Sequence, residues 1–353
     1  MILMDLGKPF VRGRTADVYA KEVDQVLKLI HNWFEFVNIP EMESWLPKQA
    51  EIVTKRKKTQ KSRTILFSLD KSRGETMKHT EGNFVGVRNS SNYYQGWIPD
   101  GNVKAVLLIV HGVGEYCGRY SNVVNYFVPL GYAVYGLDHI GHGKSDGQRE
   151  VIKQFEDFTE PLNVFYKMIK ESQPGKPVFI YGHSLGALIT LFYLLDHQAD
   201  FKGAIISAPP VKIPDNISPV TVTIGKILAT IAPRTGLIGL DTSGLSHDEA
   251  VVKAYNADPL VFHGKITASI SGGMLRAMLR VNEEAGKISL PLFILQGGAD
   301  RIVDPSGAKL LYDKAGSNDK TLRIYDNLFH EVHNEPDRVT MFNDLQAWLT
   351  ARA

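Results

Sequence analysis

Cysteine is almost absent: 353 residues contain one, Cys117. That excludes a disulfide framework and a thiolate metal cluster, and it fits a reducing compartment. No run approaches the ~18–20 apolar residues that a membrane span requires. The opening residues, MILMDLGKPFVRGR, lack a basic stretch leading into an apolar one, so no signal peptide is expected. An excess of one charge is missing too. Forty Lys and Arg face 38 Asp and Glu, a net of +2, which argues against a polyanion such as nucleic acid as the partner. What is plentiful is apolar residues, 44% of the chain, enough for a large core. The length allows two units or one large α/β domain with insertions. A cytoplasmic, globular protein of enzyme size is expected.

The balanced total hides an asymmetry. Residues 48–78 hold ten Lys or Arg and three acids, a net of +7, including KRKKTQKSR at 55–63. We read this as a solvated helix end running into a linker, and place a boundary near residue 78. Residues 1–78 form one unit and 79–353 the other.

In the second unit, short apolar runs alternate with longer amphipathic ones. KAVLLIV (104–110), YAVYGLD (132–138), PVFIYG (177–182), GAIIS (203–207), PLFILQGG (291–298) and TLRIY (321–325) predict buried strands, bounded by Gly, Pro, Asn or Asp. Residues 154–172 and 337–351 predict helices. Such alternation argues a mainly parallel sheet with helices on both faces. NFVGVR (83–88) and YYQGWIP (93–99) read as an antiparallel pair at one edge. Between Pro210 and about Arg276 the rhythm breaks and no strand is expected. This apolar stretch predicts a helical lid at 211–275, over the sheet edge where ligands bind in open α/β folds.

GHSLG at 182–186 follows a predicted strand and opens the helical run LGALITLFYLL. This is G-x-S-x-G in the context it requires, a strand, a sharp turn and a helix, with Ser184 lifted from the turn. A serine hydroxyl needs a base, and the base needs an acid to orient it. The order Ser, acid, His is met by Asp300 in GGADRIVD and His330 in YDNLFHEVHNEP, both just past strand ends. Asp304 and His333 compete locally. Asp304 reads as the N-cap of a helix starting near Pro305, and His333 as a partly exposed polar residue. HGVGEYCGRY at 111–120 is a glycine-flanked turn able to aim a backbone N–H at the serine. The N–H groups of Val113 and Leu185 are the expected oxyanion donors. His139 and His142, in DHIGHGKSDG, read as loop histidines. They offer too few convergent ligands for a metal, so no metal is expected.

Taken together, HGVGEYCGRY, LDHIGHGKSDGQR, YGHSLGA, AYNADPL, LQGGADRIVD and KTLRIYDNLFHE resemble the monoacylglycerol lipase family of serine α/β-hydrolases, which has lysophospholipase-like members. The resemblance runs in order from about Glu81 to the C-terminus. It implies an α/β-hydrolase fold, no cofactor, and cleavage of a monoacylglycerol, a lipid ester, to glycerol and fatty acid. It maps nucleophile, acid and base onto Ser184, Asp300 and His330, and oxyanion donors onto Val113 and Leu185. Glu115 and Arg119 fall where the family meets the glycerol end. An apolar lid of this kind implies peripheral contact with a membrane, with a second copy of the chain, a homodimer, as the other occupant. Two departures stand out. Gly186-Ala187 replaces the family's usual two glycines, and residues 1–78 have no counterpart.

Residues 10–34 of that extra segment read as a glycine turn, a hairpin and a strand. They resemble the start of the N-lobe in aminoglycoside-phosphotransferase-like kinases, which implies Gly13 in a phosphate loop, Lys28 at the phosphates and Glu51 as its partner. No H-x-D loop and no D-F-G follows, so phosphoryl transfer has neither base nor metal ligands. A small α+β appendage is expected instead. The functional expectation is a serine esterase acting on monoacylglycerols. A medium-chain carboxylesterase and a lysophospholipase are the near alternatives, and a non-catalytic scaffold with a hydrolase fold is the distant one.

Overall fold

The computed structural model describes residues 77–213 and 229–353. All but the last two residues of the expected appendage, with Gly13, Lys28 and Glu51, lie outside them, as do residues 214–228 of the expected lid. Along the chain the strands are β1 (Met77–Val85), β2 (Ser91–Pro99), β3 (Ala105–Val110), β4 (Tyr132–Leu137), β5 (Val178–His183), β6 (Gly203–Ser207), β7 (Gly236–Ile238), β8 (Ile266–Thr267), β9 (Leu292–Gly297) and β10 (Lys320–Tyr325). Eight of them form one sheet in the order β1-β2-β4-β3-β5-β6-β9-β10. The pairs β1–β2 and β2–β4 are antiparallel, and every later pair is parallel. This is the α/β-hydrolase architecture.

The helices are α1 (Ser121–Phe127), α2 (Glu156–Ser172), α3 (Leu185–His197), α4 (Glu249–Ala257), α5 (Ala268–Glu284), α6 (Ser306–Lys314) and α7 (Arg338–Thr350). Their placement explains why the strand runs are continuously apolar. In β3, Val106, Leu108 and Val110 join a core layer with α2, α3 and α5. Ala105, Leu107 and Ile109 point the other way, into a layer with α1 and α7. Successive strand residues alternate faces, so a strand covered on both sides has no polar face to show. The central helix α3 follows the same logic. Leu185 through Leu195 are all buried, and a helix apolar all round has to be an interior one.

Three expectations are corrected. TLRIY does form a strand, β10, but as the last strand of the sheet it has no buried residue, and Arg323 and Ile324 are exposed. The edge run at 83–88 is the tail of a strand that begins at Met77. Residues beyond Val85 form a turn, with Arg88 and Asn89 at φ 51° and 61°. MKHTEGNFV hides a strand because only Phe84 in it is buried. The stretch from Pro210 to Arg276 is also not free of strands, since β7 and β8 pair antiparallel there. Its last residues belong to α5, whose Ile270, Gly273, Ala277 and Val281 turn inward at helical spacing. What remains between them carries its own small core of Leu245, Tyr255 and Val261, backed by Tyr116, Leu240 and Ile302.

Candidate active site

The C-terminal ends of β3, β5, β9 and β10 lie close together in the sheet, and the loops leaving them build the site. Ser184 links β5 to α3 at φ 55° and ψ −122°. A non-glycine residue with positive φ is strained, and that strain stands where a reactive group must be held out of the turn. Its own N–H is fixed to the Ser207 carbonyl at 2.9 Å. Ala187, the departure from two glycines, is fully buried in the layer containing α3.

Asp300 and His330 are joined directly. His330 Nδ1 lies 2.7 Å from Asp300 Oδ2, and both side chains are almost completely buried. The two loops can meet because Gly297 has no side chain, as a Cβ there would lie 2.1 Å from the Phe329 carbonyl oxygen. Asp300 is held from all sides. Ile302 and Val303 N–H donate to Oδ1 at 2.8 and 3.0 Å, and Gln296 Nε2 donates to Oδ2 at 2.8 Å. Burial pushes the carboxyl up, but the His330 contact and the Val303 and Ile302 N–H groups outweigh it and leave the pKa below the ordinary value.

The loop after β3 comes up beside the serine, where a Cβ on Gly112 would stand 3.3 Å from Ser184 Cβ. Gly112 N–H donates to Glu115 Oε1 at 2.7 Å, and Gly114 N–H to Glu150 Oε1 at 2.9 Å. Between them, Val113 N–H donates to no acceptor among the described residues, and the same holds for Leu185 N–H. One small cavity of ≈ 20 Å³ is lined by Val113, Glu115, Arg119, Ser184, Tyr255, His330 and Glu331, among others. A larger groove of ≈ 720 Å³ lies outside it, along Ser243, His247, Lys253 and Phe329, and holds none of Ser184, Asp300 and His330.

Glu115 and Arg119 form an ion pair at 2.6 Å, and Tyr120 donates to Glu115 at 2.8 Å. The sequence reading missed their third member. Glu331 Oε1 and Oε2 accept from Arg119 Nη1 and Nη2 at 2.7 and 2.8 Å, and Asn334 supports Glu331 at 2.7 Å. Burial alone would raise the Glu331 carboxyl, but Arg119 holds it down at about 2. Burial dominates at Glu115, whose pKa is raised.

Asp304 does cap a helix start, accepting from Ser306 N–H at 2.9 Å. His333 departs from expectation. It is fully buried, its ring stacked on Tyr120 with centroids 4.9 Å apart and meeting His183 edge-on at 4.9 Å. His142 Nε2 meets Glu150 at 2.7 Å, and His139 Nε2 faces the His111 carbonyl at 3.3 Å, so both rings brace the loop carrying Val113.

Glu335 was also missed. Fully buried, it accepts from Phe329 N–H at 2.6 Å and His247 N–H at 3.0 Å, and its Oε1 lies 3.1 Å from His247 Nδ1. It ties the loop bearing His330 to the segment before α4. Glu335→Ala takes the shared acceptor from these partly buried donors, so we expect a loss of about 1–3 kcal/mol in unfolding free energy, read by denaturant titration. Glu335→Gln, which keeps an acceptor, loses less.

Comparison with known proteins places this geometry. Residues 101–337 match the family model described as "Serine aminopeptidase, S33". A monoacylglycerol lipase of Mycolicibacterium smegmatis is 34% identical over 272 residues, covering 77% of this chain and 97% of that one. The monoglyceride lipase of Rattus norvegicus is 34% identical over 259 residues, covering 72% and 86%. A crystal structure of Paleococcus ferrophilus monoacylglycerol lipase superposes with a TM-score of 0.65 at 26% identity, covering 79% of this chain and all of that one.

Proposed function

Since this chain belongs to the serine aminopeptidase S33 family of serine hydrolases, and is a carboxylic ester hydrolase within it, we propose that Ser184, Asp300 and His330 are its catalytic triad and monoacylglycerols its substrates. The observation that carries the reading is the 2.7 Å His330–Asp300 bond beside a serine at φ 55° in the same cavity as His330. His330 Nε2 takes the Ser184 proton as Oγ attacks the ester carbonyl carbon. Asp300 accepts from Nδ1–H, which fixes the tautomer and stabilises the imidazolium. The Val113 and Leu185 amides, uncommitted within the described residues, donate to the oxyanion, and the α3 N-terminus adds its positive end. His330 then protonates the departing glycerol oxygen, and water, activated by the same imidazole, releases the fatty acid.

The names borne by the relatives at 34% identity support glycerol as the leaving group, and Glu115 and Arg119 sit in the cavity where its hydroxyls would bind. The test is hydrolysis of mono-, di- and triacylglycerols, lysophosphatidylcholine and p-nitrophenyl esters of several chain lengths. Preference for monoacylglycerols is expected. Turnover of short p-nitrophenyl esters alone would reduce the chain to a general carboxylesterase, and preference for lysophosphatidylcholine would make it a lysophospholipase.

No helix among the described residues is long and apolar enough to cross a membrane. We take the protein as cytoplasmic and meeting lipid through the segment after β6, where Ile231 and Ile238 are 64% and 54% exposed. Replacing both with Glu is expected to lower co-sedimentation with liposomes. A dimer in sedimentation that the double variant abolishes would instead assign the patch to a second copy.

A further inference from the structure

Arg119 is the cation that lines the cavity beside Ser184, yet the Nη1/Nη2 fork of its guanidinium is already taken. Nη1 and Nη2 both donate to Glu331, Nη1 also donates to Glu115, and the Tyr255 ring covers one face at 4.5 Å. Arginine in such a pocket would ordinarily present its fork to a phosphate, bidentately. Here a carboxylate from the loop carrying His330 already fills that fork. We infer that Glu331 is a specificity-determining residue that closes Arg119 to phosphate, so that the head-group end accepts an uncharged polyol and rejects phosphorylated glycerol esters. This rests on the ester-hydrolase reading above.

The electrostatics point the same way. Glu331, held down at about 2, stays ionised at any working pH, so the cluster carries no net positive charge whichever state Glu115 adopts. A head group bearing phosphate would meet the Glu331 carboxylate, the Glu115 carboxyl and a cation whose terminal fork is occupied. Such a repulsive element discriminates against the wrong partner where attractive contacts to the shared glycerol and acyl parts cannot. The arrangement also places the filter one residue from His330, so the group that sets the head-group charge moves with the loop that carries the base.

The test compares 1-octanoylglycerol with 1-octanoylglycerol 3-phosphate, which share the scissile bond and differ by the phosphate. Rates are normalised to p-nitrophenyl octanoate, which has no polyol. The full-length chain is expected to favour the neutral ester by about 100-fold in kcat/KM, and Glu331→Gln to shrink that ratio about tenfold or more. Glu331→Asp, which keeps the charge, should hold the ratio. Glu331→Met, similar in length, serves if the Gln variant does not fold. Equal turnover of both esters by the parent chain overturns the filter alone. A Gln or Met variant that loses both activities in proportion shows that Glu331 only positions Arg119, and overturns it too. Turnover of neither ester by the parent chain sinks the hydrolase reading and the filter with it.

Discussion

Ser184→Ala is expected to lower kcat for ester hydrolysis by about 10⁵–10⁶, with the protein still folded. Only a hydroxyl is lost, from a side chain that makes no side-chain hydrogen bond among the described residues, and alanine accepts φ 55° no worse than serine does. Asp300→Asn is expected to cost about 10⁴, because the amide can turn its N–H₂ toward His330 and select the wrong tautomer. The pair decides more than either alone. If the three residues act as one unit, the double variant is as slow as Ser184→Ala, since an oriented base has nothing to deprotonate. Additive losses would mean that Asp300 acts elsewhere, through the Gln296 and Ile302 contacts that hold its loop. Single-turnover assays with p-nitrophenyl octanoate, plus thermal unfolding of each variant, separate the cases.

Much of this was legible in the chain itself, for identifiable reasons. Strands covered on both faces have to be continuously apolar, so β3, β4, β5, β6 and β9 announce themselves in short runs. The triad candidates were readable because each follows a strand end and their order is constrained. What escaped was structure with no local signal. β1 lies at an exposed edge, and β7 and β8 are three and two residues long. The buried acids escaped for another reason. Glu331 pairs with Arg119 across 212 positions and Glu335 with His247 across 88, and a glutamate in a polar stretch gives no sign that it is buried. His333 was misjudged on the same ground: its burial comes from Tyr120 and His183, far off in sequence. One clue was available in HEVHNEPDR, where Glu331 and Glu335, four residues apart, flank His333, a pattern costly to bury unless cations or N–H donors meet it.

Those buried histidines carry the last large effect, a steep loss of stability in mild acid. Burial, aided by neighbouring histidines, lowers His111 and His183 well below the usual imidazole value, His139 to about 3 and His333 to about 4. The folded state therefore stays unprotonated at these rings where the unfolded chain, near pKa 6.5, already binds protons. Stability rises with pH wherever the unfolded state holds more protons, so each ring weakens the fold as pH falls from about 6.5 toward its folded pKa. For His333 and His139 this amounts to about 2 kcal/mol each between pH 7 and pH 5. His142 works the other way. Glu150, overcoming the effect of burial, raises its folded pKa, so its contribution is fully present in acid and fades as pH climbs through that value. One opposing ring cannot offset four. Against a typical total of about 5–15 kcal/mol, the denaturation midpoint should fall sharply between pH 6.5 and pH 5. His333→Gln, which removes a titrating ring yet keeps a polar group at Tyr120 and Tyr181, should flatten the slope of stability against pH by close to one proton. An unchanged slope in that variant would mean that His333 titrates alike in the folded and unfolded states, and that its stacking on Tyr120 leaves it open to water.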